Sequence, residues 1–114
     1  MSITRTLAHP DMSDPAALAR IAERLKRQYG AEKVIVYGSV ARGEATIHSD
    51  IDLLVVAPST EKGYRRMATV RGLIRDLSRG LPISPIVLTP DELQQRLADE
   101  DPLVHEIVES GVEL

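Results

Sequence analysis

Two short apolar runs constrain this chain more than any other feature. "VIVY" at 34–37 and "IDLLVV" at 51–56 are rich in β-branched residues and read as buried strands. Each is bordered by residues that an apolar run alone does not call for. Gly38 and Ser39 follow the first run directly, and after ten more residues Asp50 and Asp52 straddle the start of the second. Side chains two apart on a strand share a side, so the two aspartates project together while Ile51 turns into the core. Their Cα atoms then lie roughly 6.5–7 Å apart. Two carboxylates at the mouth of a buried strand are costly unless a cation lies against them.

From that separation both acids can lean onto one metal ion or bracket two. A donor set of oxygen alone favours Mg²⁺ or Mn²⁺ over zinc. Gly38 has no side chain to hold a phosphate away, and Ser39 begins a short turn through Val40, Ala41 and Arg42 that Gly43 closes. Free N–H groups in such a turn form an anion nest. Arg42, three residues beyond Ser39, emerges on the same side and can reach a phosphate oxygen. Taken singly, Gly-Ser after a strand is a common turn, and Asp-x-Asp at a strand mouth a common cap or solvated edge. Jointly they describe a site for a nucleoside triphosphate and its metal.

The flanking sequence supplies a frame for that site. Asp14 as cap, Pro15 at a first helical position and Leu18, Ile21, Leu25 and Tyr29 at helical spacing predict an amphipathic helix that Gly30 stops. A second long helix is expected from about 61 to 79, with Met67, Val70, Leu73, Ile74 and Leu77 as its apolar stripe and Arg71, Arg75 and Arg79 along a solvated face. "LPISPIVL" reads as a third strand in which Pro85 points to an edge or a bulge. "TPDE" is a capping box with Thr89 as cap and Glu92 reaching back, opening a helix to about Ala98. A last helix begins after Asp101-Pro102, buries Leu103, Val104, Ile107 and Val108, and ends at Gly111. The element order predicts an α+β fold with few strands, in a single domain spanning 1–114 whose first 13 residues form a loose arm.

Composition removes several alternatives. At 43% hydrophobic and 27% charged residues, the chain is of the folded, globular kind. A net charge of −3 and the absence of Phe and Trp argue against autonomous nucleic-acid binding. Having no cysteine, it has no disulfide framework or thiolate metal site. No run reaches membrane-spanning length, and a cytoplasmic location is expected. His9, His48 and His105 share no metal-ligand spacing.

"GSVARGEATIHSDIDLLVV" resembles the signature of the minimal nucleotidyltransferase (MNT) family within the DNA polymerase beta-like nucleotidyltransferase superfamily, and the closing "IVESGVEL" is also similar to that family's layout. The resemblance implies a small mixed β-sheet flanked by helices. It gives Gly38 and Ser39 to the triphosphate and Asp50 and Asp52 to magnesium, and it implies transfer of a nucleoside monophosphate, AMP from ATP, to a hydroxyl. The chain is too short for the extra helical domain of larger relatives. The resemblance therefore implies an acceptor held by another chain, a helical HEPN-type toxin paired with an antitoxin that attaches AMP to it. A homo-oligomer also remains open.

In one respect the chain departs from the pattern. Relatives carry a third carboxylate on the strand after the long helix, where it helps hold the metal and accepts the proton of the attacking hydroxyl. The alignment puts Ser84 there, with Asp76 and Asp91 as the acids nearest in sequence to replace it. Two readings follow: an adenylyltransferase with slowed or lost transfer, or a nucleotide-binding module that neutralises or scaffolds its partner by contact.

Overall fold

A computed structural model describes residues 15–46 and 48–114. The expected arm at 1–13 and the expected cap at Asp14 lie outside them. Helix α1 (Pro15–Arg24) runs into a π-helical turn, Leu25–Tyr29, followed by β1 (Lys33–Tyr37), the short α2 (Ser39–Arg42), β2 (Ile51–Val56) and α3 (Gly63–Leu73). Then come β3 (Ile83–Leu88), α4 (Pro90–Ala98), α5 (Pro102–Ser110) and β4 (Val112–Glu113). The four strands form one mixed sheet in the order β3-β2-β1-β4. β1 is antiparallel to both neighbours, while β2 and β3 are parallel and joined through α3. The fold is α+β, as the sequence predicts.

Both faces of the sheet are covered, which explains why β2 is an almost unbroken apolar run. Ile51, Leu53 and Val55 point to one side, where they pack with Val34 and Val36 against Leu18, Ile21 and Leu25 of the first helix and Val70 and Ile74 of the third. Leu54 and Val56 point to the other, meeting Tyr37, Leu88 and Ile107, with Leu93 and Leu103 at the margin. Asp52 is the one residue of β2 that is not fully buried. Alternation places it on the second side, toward α4 and α5.

Several element ends differ from the sequence reading, for identifiable reasons. The first helix widens in its last turn, where the N–H groups of Gly30 and Ala31 both bond the Leu25 carbonyl and Gly30 takes the left-handed conformation at φ 76°. The long helix stops at Leu73 rather than near residue 79. Gly72 weakens its end, and Arg24 of α1 donates to the freed Leu73 carbonyl at 3.1 Å and to Asp76 at 2.6 Å. The arginine row at 71, 75 and 79 is exposed, whereas Arg66 of the same helix is buried.

β3 is an edge strand with an unbroken register from Ile83 to Leu88, so Pro85 marks an edge and not a bulge. The capping box at Thr89 and Glu92 forms in full. Asp101 caps α5, accepting from Leu103 N–H at 2.8 Å. Val108, expected in the core, is 66% exposed. β4, which the sequence did not announce, pairs with β1 after Gly111, where a Cβ would strike the Ile107 carbonyl at 2.5 Å.

Candidate active site

The register of the sheet builds the site. Tyr37 of β1 pairs with Asp52, and Asp52 pairs on its other side with Ser84 of β3. These three residues make one row across the strand ends. Ser84 thus stands next to Asp52 in space, at the position where the family resemblance calls for an acid. Asp50, just before β2, is exposed. A compact turn delivers it: Ser49 N–H donates to the Thr46 carbonyl at 3.0 Å, Thr46 N–H donates to Ser49 Oγ at 2.9 Å, and Ile51 N–H then opens the pairing with β3 by donating to the Pro82 carbonyl at 2.8 Å.

Gly38 is indispensable to this arrangement. Its φ of 75° and ψ of −150° lie in a region that L side chains rarely adopt. A Cβ built there would lie 2.5 Å from Asp52 Oδ2. Bare backbone and carboxylate therefore face each other directly. α2 begins immediately afterwards with Ser39, and Gly43 ends it in the left-handed conformation at φ 75°. The first N–H groups of such a turn have no acceptor within it, so they remain available to an anion.

The electrostatics follow from burial and charge. Burial pushes the Asp52 carboxyl up, Asp50 and Glu106 push it further, and Arg42 offsets part of the rise. No hydrogen-bond donor reaches the Asp52 side chain among the described residues. The Tyr37 phenol is pushed up to about 12, chiefly by burial and then by Asp52 and Glu106. The mouth is thus short of positive charge, which is the condition that favours a cation. Carboxylate oxygens such as those of Asp50 and Asp52, two positions apart at the start of β2, suit Mg²⁺ or Mn²⁺ by their chemistry. Among the described residues no group of three or more acid, histidine or cysteine side chains gathers to hold an ion. An ion there would take two carboxylates from this chain, with its remaining ligands from phosphate and water.

Arg42 is in the neighbourhood expected of it but is engaged elsewhere. Its Nη1 donates to Glu106 at 2.7 Å and its Nε to Glu44 at 3.0 Å. Glu106, on α5, is the residue that sequence reasoning missed. No local signal marks it, since its contact with Arg42 joins residues 64 apart in the chain. Neither alternative acid belongs to the site. Asp76 is bound to Arg24, and Asp91 sits in the first turn of α4, beyond the far end of β3. His48 is exposed, with its N–H on Thr46 Oγ1, and His105 is exposed on α5. His9 lies outside the described residues.

Gly38-Ser39 thus follows β1 and Asp50-Ile51-Asp52 opens β2, side by side within one mixed sheet. The chain belongs to the nucleotidyltransferase domain family, whose sequence profile matches residues 18–114. It is 33% identical over 92 residues to the Methanocaldococcus jannaschii protein named "Putative protein adenylyltransferase MJ1305", a match covering 76% of this chain and 61% of that protein. The chain therefore spans about three-fifths of the length of this relative.

Two solved structures share the fold. One is a crystal structure of "a putative nucleotidyltransferase" from Sulfolobus solfataricus, with TM-score 0.59 and 26% identity, covering 86% of this chain and 76% of that one. The other is a crystal structure of a mutant of the toxin-antitoxin MntA-HpeT, with TM-score 0.52 and 22% identity, covering 85% and 70%. Among the described residues no helix is long and apolar enough to cross a membrane.

Proposed function

We propose that this chain transfers AMP from ATP to a hydroxyl of a partner protein. The observation that carries the reading is the approach of Gly38 to Asp52, where the missing side chain lets the glycine turn and the carboxylate stand side by side. In this reading Gly38 and Ser39 hold the triphosphate through backbone N–H groups, and Asp50 and Asp52 hold Mg²⁺ or Mn²⁺. When bound, the ion supplies charge neutralisation of the triphosphate. The rest of the rate comes from positioning by the chain.

The acceptor oxygen forms a bond to the α-phosphorus as the bond to the departing pyrophosphate breaks. With Ser84 where a carboxylate would accept the hydroxyl proton, that proton passes to water at the exposed mouth, and transfer is slow. A protein acceptor is supported by the relative named as a protein adenylyltransferase and by the toxin-antitoxin neighbour. A helical toxin of the HEPN kind is the partner this reading favours.

Ser84 also favours a second reading, in which the chain binds nucleotide and restrains its partner by contact alone. Titration of ATP with and without Mg²⁺ by calorimetry, beside transfer of labelled AMP to the partner, separates the two. Magnesium-dependent binding with measurable transfer supports the enzyme. Binding without transfer supports the contact module. No binding in either condition refutes both.

A further inference from the structure

Arg42 has two carboxylates and one guanidinium to share between them. Glu44 lies two residues along the chain, whereas Glu106 comes from 64 residues away, on the face of the sheet that carries Asp52. α5 cannot drift freely: Val104 and Ile107 are buried against the sheet, and Asp101 caps its start. The helix therefore presents Glu106 to Arg42 as a fixed part of the fold. Both partners of the pair are about two-fifths exposed, at 39% and 40%. Water screens such a pair, so it exchanges partners readily, as a fully enclosed pair would not.

We propose that Glu106 is a positioning residue of the nucleotide site, holding Arg42 as its counter-ion in the ligand-free protein and yielding it when a triphosphate enters. This rests on the reading of Gly38, Ser39 and Arg42 as the phosphate side of the site. One guanidinium against two carboxylates leaves the group net negative, so an incoming polyphosphate meets repulsion until Glu106 is displaced. Glu106 and the triphosphate compete for the same Nη1 donor. Nucleotide affinity is accordingly set in part by a helix remote in sequence from the phosphate turn.

The test uses inorganic tripolyphosphate with magnesium, titrated by calorimetry into the wild type, Glu106→Gln, Arg42→Ala and the double variant, with thermal melts to show that each is folded. Glu106→Gln is expected to tighten binding roughly two- to fivefold, the scale of a screened ion pair. Arg42→Ala weakens binding, and Glu106→Gln adds nothing once Arg42 is gone. Weaker binding in Glu106→Gln, or a gain that persists without Arg42, overturns the proposal.

The contact has its own readout in ligand-free protein, since the Nη–H resonances of Arg42 should shift in Glu106→Gln, Nη1 being the atom that donates to Glu106. No shift overturns the proposal whatever the ligand does. A shift with no tripolyphosphate or ATP binding by any variant overturns the nucleotide reading and the exchange that depends on it.

Discussion

Gly38 and Asp52 lie so close across the β1–β2 ladder that the glycine's missing side chain is part of the carboxylate's space. Gly38→Ala meets two penalties together, a backbone conformation foreign to alanine and a collision with Asp52 Oδ2. A loss of about 1–3 kcal/mol in stability is expected from the backbone term alone. Magnesium-dependent ATP binding should fall at least roughly tenfold as Asp52 is driven aside, since each 1.4 kcal/mol is a factor of ten. Chemical denaturation and calorimetry on the same variant check both; a variant with wild-type affinity would remove Gly38 from the site.

Arg66 and Glu92 form the main charged tie between α3 and the start of α4. The guanidinium is buried, donates to Glu92 at 2.6 and 3.1 Å, and bonds the Glu61 carbonyl at 2.7 Å. The same carboxylate accepts from Thr89 N–H in the capping box. Arg66→Met is expected to cost roughly 1–3 kcal/mol, less than a fully enclosed pair, because the Glu92 side chain is 42% exposed. The Arg66 bond holds the Glu92 carboxyl below its ordinary 4.5, so the stability it contributes is present above that value and lost as pH falls through the folded value. Denaturation midpoints below pH 5 should therefore fall less steeply in Glu92→Gln than in the wild type.

The aspartate row should be visible through its tyrosine. Tyr37 keeps its proton up to about 12, so its phenolate absorbance should appear only late in an alkaline titration. An unfolded chain would release that proton near 10, and stability therefore declines as pH rises between 10 and 12. In Asp52→Asn the midpoint should move part of the way down, burial being the larger cause and remaining in place. An unchanged Tyr37 midpoint would mean that the Asp52 charge does not act on the phenol.

Ser84 adjoins Asp52 in the parallel ladder, so an acid placed there should complete the carboxylate set. Ser84→Asp is expected to raise AMP transfer roughly a hundredfold, the lower end of the usual range for a positioned proton acceptor, with little change in ATP affinity. In metal-free buffer the variant should melt lower than the wild type, because a further like charge joins Asp50 and Asp52. Transfer unchanged or reduced would mean that the missing acid does not limit the reaction.

What could be read from the sequence was what is decided locally. The strand pair and the glycine turn follow from a period of two and from turn chemistry, and Thr89, Glu92 and Asp101 declare their helix starts through side chains a few residues away. Glu106 was not legible, because no local pattern says which helix covers which face of the sheet. Arg66 was hidden for the same reason: nothing in an arginine-rich helix marks the one arginine whose partner, Glu92, comes from another element. The early end of α3 depends on Arg24, 49 residues upstream of the carbonyl it takes. β4 is two residues long, too short to show a period.

The row from Tyr37 through Asp52 to Ser84 ties chemistry to strand alignment. Were β2 to slip by a single residue, Asp52 would swing toward α1 and α3, and a leucine or isoleucine would fill the mouth. Misaligned molecules would then be inert and not merely feeble, so selection for turnover would also act as proofreading of the pleat.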